Sequence, residues 1–208
     1  MQKKDLEFCE LLCAKFCHDL SGPIGAINNG IDFLDSDNVG MKEKAADLVK
    51  LSSNQAVNRL AFFRQAYGSY TIGSKINISQ LKSLINKYTH DTKIRVELVN
   101  MISQDLEIDH LLSKVLLNFM VIASGIVLLN GNVEIDFCND EAMKTIKINA
   151  TGPVAKVDED LKSILEGGVV EKTTRNVQQL YTKHLLDSAS IKTEVQNDKS
   201  GIKIELTI

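Results

Sequence analysis

The residues of this chain that could do chemistry are concentrated in one run, Lys15-Phe16-Cys17-His18-Asp19-Leu20-Ser21-Gly22-Pro23. A histidine has an ordinary pKa of about 6.5, so near neutral pH an exposed imidazole is largely uncharged and offers one nitrogen as a nucleophile. Asp19 stands next to His18, where a carboxylate could orient the other ring nitrogen. Lys15, one helical turn earlier, is either a cation able to stabilise a developing negative charge or a plain solvated lysine. The other neighbours of His18 on its own helical face are small: Ala14, Ser21, Gly22 and Gly25. A solvated face normally carries Glu, Lys and Gln, and glycine costs a helix about 1 kcal/mol relative to alanine. These four residues are therefore expected to form a shallow floor on which another protein docks.

The element that must position this group is a long helix. Leu6, Cys13, Leu20, Ile27 and Leu34 recur every seventh residue, with Cys9, Phe16, Cys17, Ile24 and Ile31 between them. That is the seam of a helix packed into a bundle. At about 100° per residue, His18 lies about 200° round from Leu20, so it should face water. Pro23 falls inside the helix and is expected to kink it, because proline has no N–H for the carbonyl of Asp19. Cys9, Cys13 and Cys17 follow one another at i, i+4 and i+8. With His18 on another side and no second Cys/His group at ligand spacing, they are expected to be small buried apolar residues rather than a metal site. His90, His110 and His184 fall on separate elements and are expected to be surface or hydrogen-bonded histidines.

The run Asp35 to Gly40 is turn chemistry, and Met41 to Tyr67 reads as a second helix antiparallel to the first. Such a hairpin cannot bury its own seam, so a homodimer forming a four-helix bundle is expected, with two His18 side chains on its outside. Gly68 to Ser74 is the expected junction, dividing the chain into residues 1–70 and 71–208. Beyond it, helices are expected over Ser79–His90 (with Ser79 as N-cap), His110–Leu129, Asp158–Glu166 and Thr174–Ser188. Strands are expected over Lys93–Asn100, Asn132–Cys138, Met143–Ala150, Ile191–Gln196 and Ile202–Ile208, with Asn139 to Ala142 as a hairpin turn. The fold class is α+β, a helical hairpin followed by a two-layer sandwich.

With 208 residues and 44% hydrophobic residues, the chain has the makings of one large or two small globular domains. A net charge of −3 argues against a general nucleic-acid binder, which needs a basic face. No apolar run approaches the roughly 20 residues of a membrane span. The N-terminus lacks a signal-peptide core, and a cytoplasmic location without disulfides is expected.

His18-Asp19-Leu20-Ser21-Gly22-Pro23-Ile24 resembles the H-box of the dimerisation and histidine-phosphotransfer (DHp) domain of sensor histidine kinases. The longer stretch Leu12 to Gly30, together with Asn58-Arg59-Leu60-Ala61-Phe62-Phe63-Arg64-Gln65-Ala66-Tyr67-Gly68, is similar to ChpT-type histidine phosphotransferases, and weaker similarity covers nearly the whole chain. The resemblance implies a DHp-like hairpin over 1–70 and, over 71–208, a degenerate version of the kinases' catalytic, ATP-binding domain (Bergerat-like). In a working kinase an Asn-x-x-x-Asn box helps to hold magnesium; here Asn118 is present but Ile122 takes the second position. The family's adenine-reading Asp-x-Gly-x-Gly turn has no counterpart after Thr145 to Pro153, and Glu166-Gly167-Gly168-Val169 lacks the spacing of a phosphate loop. The implied protein thus holds neither ATP nor a metal of its own.

The resemblance further implies that His18 is the phosphoacceptor. It would take a phosphoryl group from the receiver aspartate of a CckA-like hybrid histidine kinase and pass it to CtrA-like and CpdR-like response regulators, whose receivers bring the magnesium. In DHp domains that also act as phosphatases a Thr or Asn lies four residues after the histidine; Gly22 stands there in this chain, so phosphatase activity should be weak. Two other readings remain open from the sequence: an autophosphorylating histidine kinase with a diverged nucleotide site, and a non-catalytic adaptor that holds receivers.

Overall fold

A computed structural model describes residues 3–71, 73–100, 106–127, 130–140, 143–153, 155–157 and 159–208. Lys3–Leu34 form α1 and Val39–Tyr67 form α2, packed side by side as the expected hairpin. α2 begins two residues before the expected Met41. The Asn38 side-chain oxygen accepts the Met41 N–H, one of the donors a helix start leaves orphaned, and so sets that end. α1 runs on as one helix through Pro23.

The rest of the chain alternates strands and helices: β1 (Lys75–Asn77), α3 (Ile78–Thr89), β2 (Arg95–Val99), β3 (Glu107–Asp109), α4 (His110–Ile126), β4 (Asn132–Asp140), β5 (Met143–Thr151), α5 (Glu159–Leu165), α6 (Val177–Ala189), β6 (Lys192–Asp198) and β7 (Gly201–Thr207). The class is α+β. Five strands form one sheet in the order β2-β4-β5-β7-β6, antiparallel except for the β2–β4 pair. The registers place Leu98, Ile135, Ile148, Ile204 and Val195 in one buried row across it, while their neighbours Glu97, Asn149, Lys203 and Gln196 face outward. One covered face and one wet face is the pattern that gave the strands their period-two alternation.

Several boundaries differ from those expected. The N-cap of α3 is Asn77, not Ser79: Asn77 accepts the Gln80 N–H while the Gln80 side chain reaches back to the Asn77 N–H, a capping box, and Ser79 merely donates to Asn77. The three-residue pair β1–β3 is too short to show a period. α4 stops at Ile126, before the expected Leu129, and residues 128–129 of that expected helix lie outside the described residues. Asn139 and Asp140 belong to the end of β4, and the remainder of that expected turn, 141–142, lies outside the described residues.

The hairpin and the sheet share one apolar core, which runs from Phe62, Phe63 and Ala66 of α2 through α4 to the sheet. Where they meet, α2 ends inside the protein, and a helix end leaves its last carbonyls without partners. α4 supplies the donors. The Asn118 amide, fully buried, donates to the carbonyls of Ala66 (3.0 Å) and Lys114 (2.7 Å). Its oxygen accepts from Gln178 of α6 at 2.6 Å, and Gln178 accepts in turn from the Tyr67 hydroxyl. The Lys114 ammonium donates to the Gly68 carbonyl and lies over the rings of Tyr70 and Tyr181. Burial pushes the Lys114 ammonium below its ordinary pKa, and raises the Tyr67 phenol far above its own. Among the described residues, no helix is long and apolar enough to cross a membrane.

Asn118→Ala strands the Ala66 carbonyl and the Gln178 amide in a dry interior, and each such group costs about 1–3 kcal/mol. The variant is expected to lose about 3 kcal/mol of stability in urea denaturation; a loss below 1 kcal/mol would show that this amide does not hold the junction.

Candidate functional site

The His18 side chain is 88% exposed, on the side of α1 turned away from α2. Its Nδ1 lies 3.3 Å from Asp19 Oδ1, which leaves Nε2 directed to solvent. The other carboxylate oxygen of Asp19 accepts from Lys15 Nζ at 2.9 Å. Asp19 is thus the bridge of the group: it touches both the imidazole and the ammonium, and Lys15, only 20% exposed, is turned to the carboxylate rather than to open water. Phe16, two residues before His18, packs on Phe63 and Tyr67 and anchors the buried side of this turn.

Ala14, Ser21, Gly22 and Gly25 are all exposed beside His18. The Ser21 hydroxyl donates to the Cys17 carbonyl at 2.6 Å and therefore does not extend outward. At Gly22 and Gly25 an added Cβ would meet no atom of the described residues within 4 Å. The floor is open.

Pro23 is buried, and its missing N–H leaves the Asp19 carbonyl without its intrahelical donor. Arg59 of α2 supplies a substitute: its Nη1 donates to Asp19 O. Sequence reasoning missed Arg59, although a signal was available. A proline inside a helix orphans the carbonyl four residues back, so a donor must come from elsewhere, and Arg59 sits in the second stretch that resembles the phosphotransferases. Tyr88, stacked on Phe62 at 4.0 Å, closes this side; its phenol is pushed up to about 12, mainly by burial and then by the Asp19 carboxylate, with Arg59 acting against both.

The cysteines depart from expectation. Cys9, Cys13 and Cys17 are exposed free thiols in the single protomer, on a side of α1 that also leaves Leu6, Ile24 and Ile31 uncovered. Leu20 and Ile27 are only half-buried. α2 likewise exposes Met41, Leu48, Leu51, Val57 and Leu60. Among the described residues no group of three His, Cys, Asp or Glu is placed to hold a metal ion. His90 pairs with Asp91, His184 packs edge-on against Phe8, and His110 stacks on Tyr70 and contacts Gln65, burial holding its pKa below the ordinary histidine value.

The glycine pair after α5 has a structural role. Gly167, at φ +92°, and Gly168 send their N–H groups to the carbonyls of Ile164 and Ser163, a Schellman cap that ends the helix.

Residues 78–201 match the family described as histidine phosphotransferase C-terminal domain. Over 195 residues, 91% of this chain and 90% of the relative, the sequence is 27% identical to the protein phosphotransferase ChpT of Brucella abortus (strain 2308). The fold matches a solved bacterial phosphotransferase with a TM-score of 0.82 at 26% identity, covering 99% of this chain and 97% of the other. The histidine kinase domain of a blue-light activated histidine kinase from Erythrobacter litoralis shares the fold at a TM-score of 0.51 and 12% identity, covering 92% and 93% of the two chains.

Because none of the described residues occupies the space over Gly22 and Gly25, Gly22→Ala and Gly25→Ala should each raise the unfolding free energy, by up to about 1 kcal/mol. Urea denaturation checks this, and a marked loss in either variant would contradict the open floor described above.

Proposed function

The chain belongs to the histidine phosphotransferase family, and we propose that it is the transfer protein of a multistep phosphorelay in which His18 carries the phosphoryl group. The observation that carries this reading is the exposed imidazole whose Nδ1 faces Asp19 and whose Nε2 is open to a partner. With the Nδ1 proton held toward Asp19, the Nε2 lone pair attacks the phosphorus of an aspartyl phosphate on a receiver domain, such as that of a hybrid histidine kinase. The N–P bond forms as the P–O bond to the aspartate breaks, and the aspartate leaves as a carboxylate. The second half runs in reverse, onto the aspartate of a response-regulator receiver. Such transfers depend on alignment and on neutralising charge. Asp19 partly neutralises the charged ring of the phosphohistidine, and Lys15 keeps Asp19 in place. The receivers bring the magnesium.

In this reading Ala14, Ser21, Gly22 and Gly25 form the receiver-docking floor, residues 1–70 serve transfer and dimerisation, and residues 71–208 support them without binding ATP. The engagement of both ends of the Asn118 amide within the protein supports the last point. The uncovered apolar residues of α1 and α2 support a homodimer, two hairpins closing into a four-helix bundle with the cysteines inside it. A cytoplasmic setting follows from receivers as partners.

Transfer is tested with a receiver domain phosphorylated by a radiolabelled small-molecule donor. Label is expected to move to the wild-type chain and on to a second receiver, and not to His18→Ala. Radiolabelled ATP alone is expected to leave the chain unlabelled. Labelling by ATP would favour a kinase, and unimpaired relay through His18→Ala an adaptor. In sedimentation experiments the wild type should be a dimer and Ile31→Glu, which puts a charge on the uncovered face, a monomer; a monomeric wild type would refute the bundle.

A further inference from the structure

We propose that Arg59 is a positioning residue for His18: by serving the carbonyl that Pro23 leaves without a donor, it fixes the turn on which His18 and Asp19 stand. The inference rests on the reading of His18 as the phosphoacceptor, and adds to it a second helix whose side chain sets the geometry of the acceptor.

In an α-helix the carbonyl of residue 19 accepts from the N–H of residue 23, and here residue 23 is proline. The peptide unit in question is that of Asp19 itself, whose carboxylate holds Nδ1 of His18 on one side and Lys15 on the other. A turn without its closing hydrogen bond is free to tilt, and every degree of tilt at Asp19 is passed to the imidazole through a contact that is already 3.3 Å long. Arg59 removes that freedom with a charge-assisted bond, about twice as strong as a neutral one, from a site 40 residues away. The guanidinium is itself part-buried and placed from α2, whose next two turns carry Phe62, Phe63 and Ala66 into the common core. The position of His18 is thereby referred to the common core rather than to one helix turn that lacks its closing hydrogen bond.

Pro23 and Arg59 should therefore behave as one unit, and this gives the proposal a direct test. Alanine at position 23 restores an N–H for the Asp19 carbonyl, so Arg59 matters only while Pro23 is present. In the native background Arg59→Ala is expected to slow transfer from a phosphorylated receiver about tenfold. In a Pro23→Ala background the same change should cost about twofold or less. Arg59→Lys, which keeps one donor for the carbonyl, should lose less than Arg59→Ala. Should Arg59→Ala not fold, as judged by circular dichroism, Arg59→Lys compared in the two backgrounds carries the same test.

A second readout needs no phosphate. 15N NMR of the neutral His18 ring at alkaline pH should show the Nδ1–H tautomer in the wild type. Arg59→Ala should diminish it, and the added Pro23→Ala should restore it. Equal losses of transfer in both backgrounds, or an unchanged tautomer in Arg59→Ala, would overturn the proposal while leaving His18 as phosphoacceptor. A coupled tautomer change in a protein whose transfer does not need His18 would instead sink the functional reading and leave the positioning role standing.

Discussion

The molecule depends on how the last turn of α2 is finished. A helix normally ends at the surface, where water takes its free carbonyls; α2 ends against α4, with Ala66 fully buried. Burying those carbonyls without donors would cost more than the local packing returns, so α4 has to present polar groups from an otherwise apolar helix. Asn118 and Lys114 do so for Ala66 and Gly68. A buried lysine is itself expensive. Its charge is offset here by the negative end of the α2 dipole, which points at it, and by the two tyrosine rings it lies against. The outcome is a junction in which the hairpin's direction is set by hydrogen bonds as well as by shape.

That junction limits what Asn118 can do. In the kinases that the chain resembles, an asparagine of the corresponding box works at the nucleotide's metal. Here both ends of the amide are bonded within 3.0 Å, to α2 on one side and α6 on the other, and the side chain has no exposed surface. To take a ligand it would have to abandon the end of α2 first. Ile122, the next position of the box, is buried and apolar. A fold shared with kinase domains is compatible with a different use of its central helix, since function lives in side chains grafted on a fold rather than in the fold.

Much of this was legible in the sequence, for definite reasons. α1 was readable from end to end because its seven-residue repeat is uninterrupted, and the outward direction of His18 follows from the same repeat by arithmetic. The strands β4, β5 and β7 were readable because one face of the sheet is wet. The start of α3 was misplaced because Asn77 and Ser79 are both good capping residues, and only the reach of Gln80 back to Asn77 decides between them. The pairing of β1 with β3 left no trace, three residues being too few for a period. The cysteines share a side of α1 with Leu6, Ile24 and Ile31, as the repeat implies, but they are exposed where burial was expected, because α2 covers a different side of that helix. Lys15 and Asp19 lie at i and i+4, so their pairing could have been anticipated; a bond from Arg59 to a backbone atom 40 residues away could be inferred only by asking where the carbonyl orphaned by Pro23 would turn.

The glycines of α1 separate two kinds of constraint. At Gly30 an added Cβ would come within 2.6 Å of Val49 Cγ2 and 3.3 Å of the Ala45 carbonyl, so this glycine is explained by the close approach of α2. Gly22 and Gly25 have no such neighbour, yet both weaken the helix next to a proline that weakens it further. A turn assembled from Ser21, Gly22, Pro23 and Gly25 would fray in an isolated helix; here it stays helical because Phe16 and Arg59 tie it to α2 from the buried side. The stabilising contacts thus lie on the inner face, and the outer face is left without side chains that would stand between His18 and a partner. The proposed transfer role would account for such a division: a receiver has to come close enough for its aspartyl phosphate to reach Nε2, and each methyl group added to the floor would hold it away.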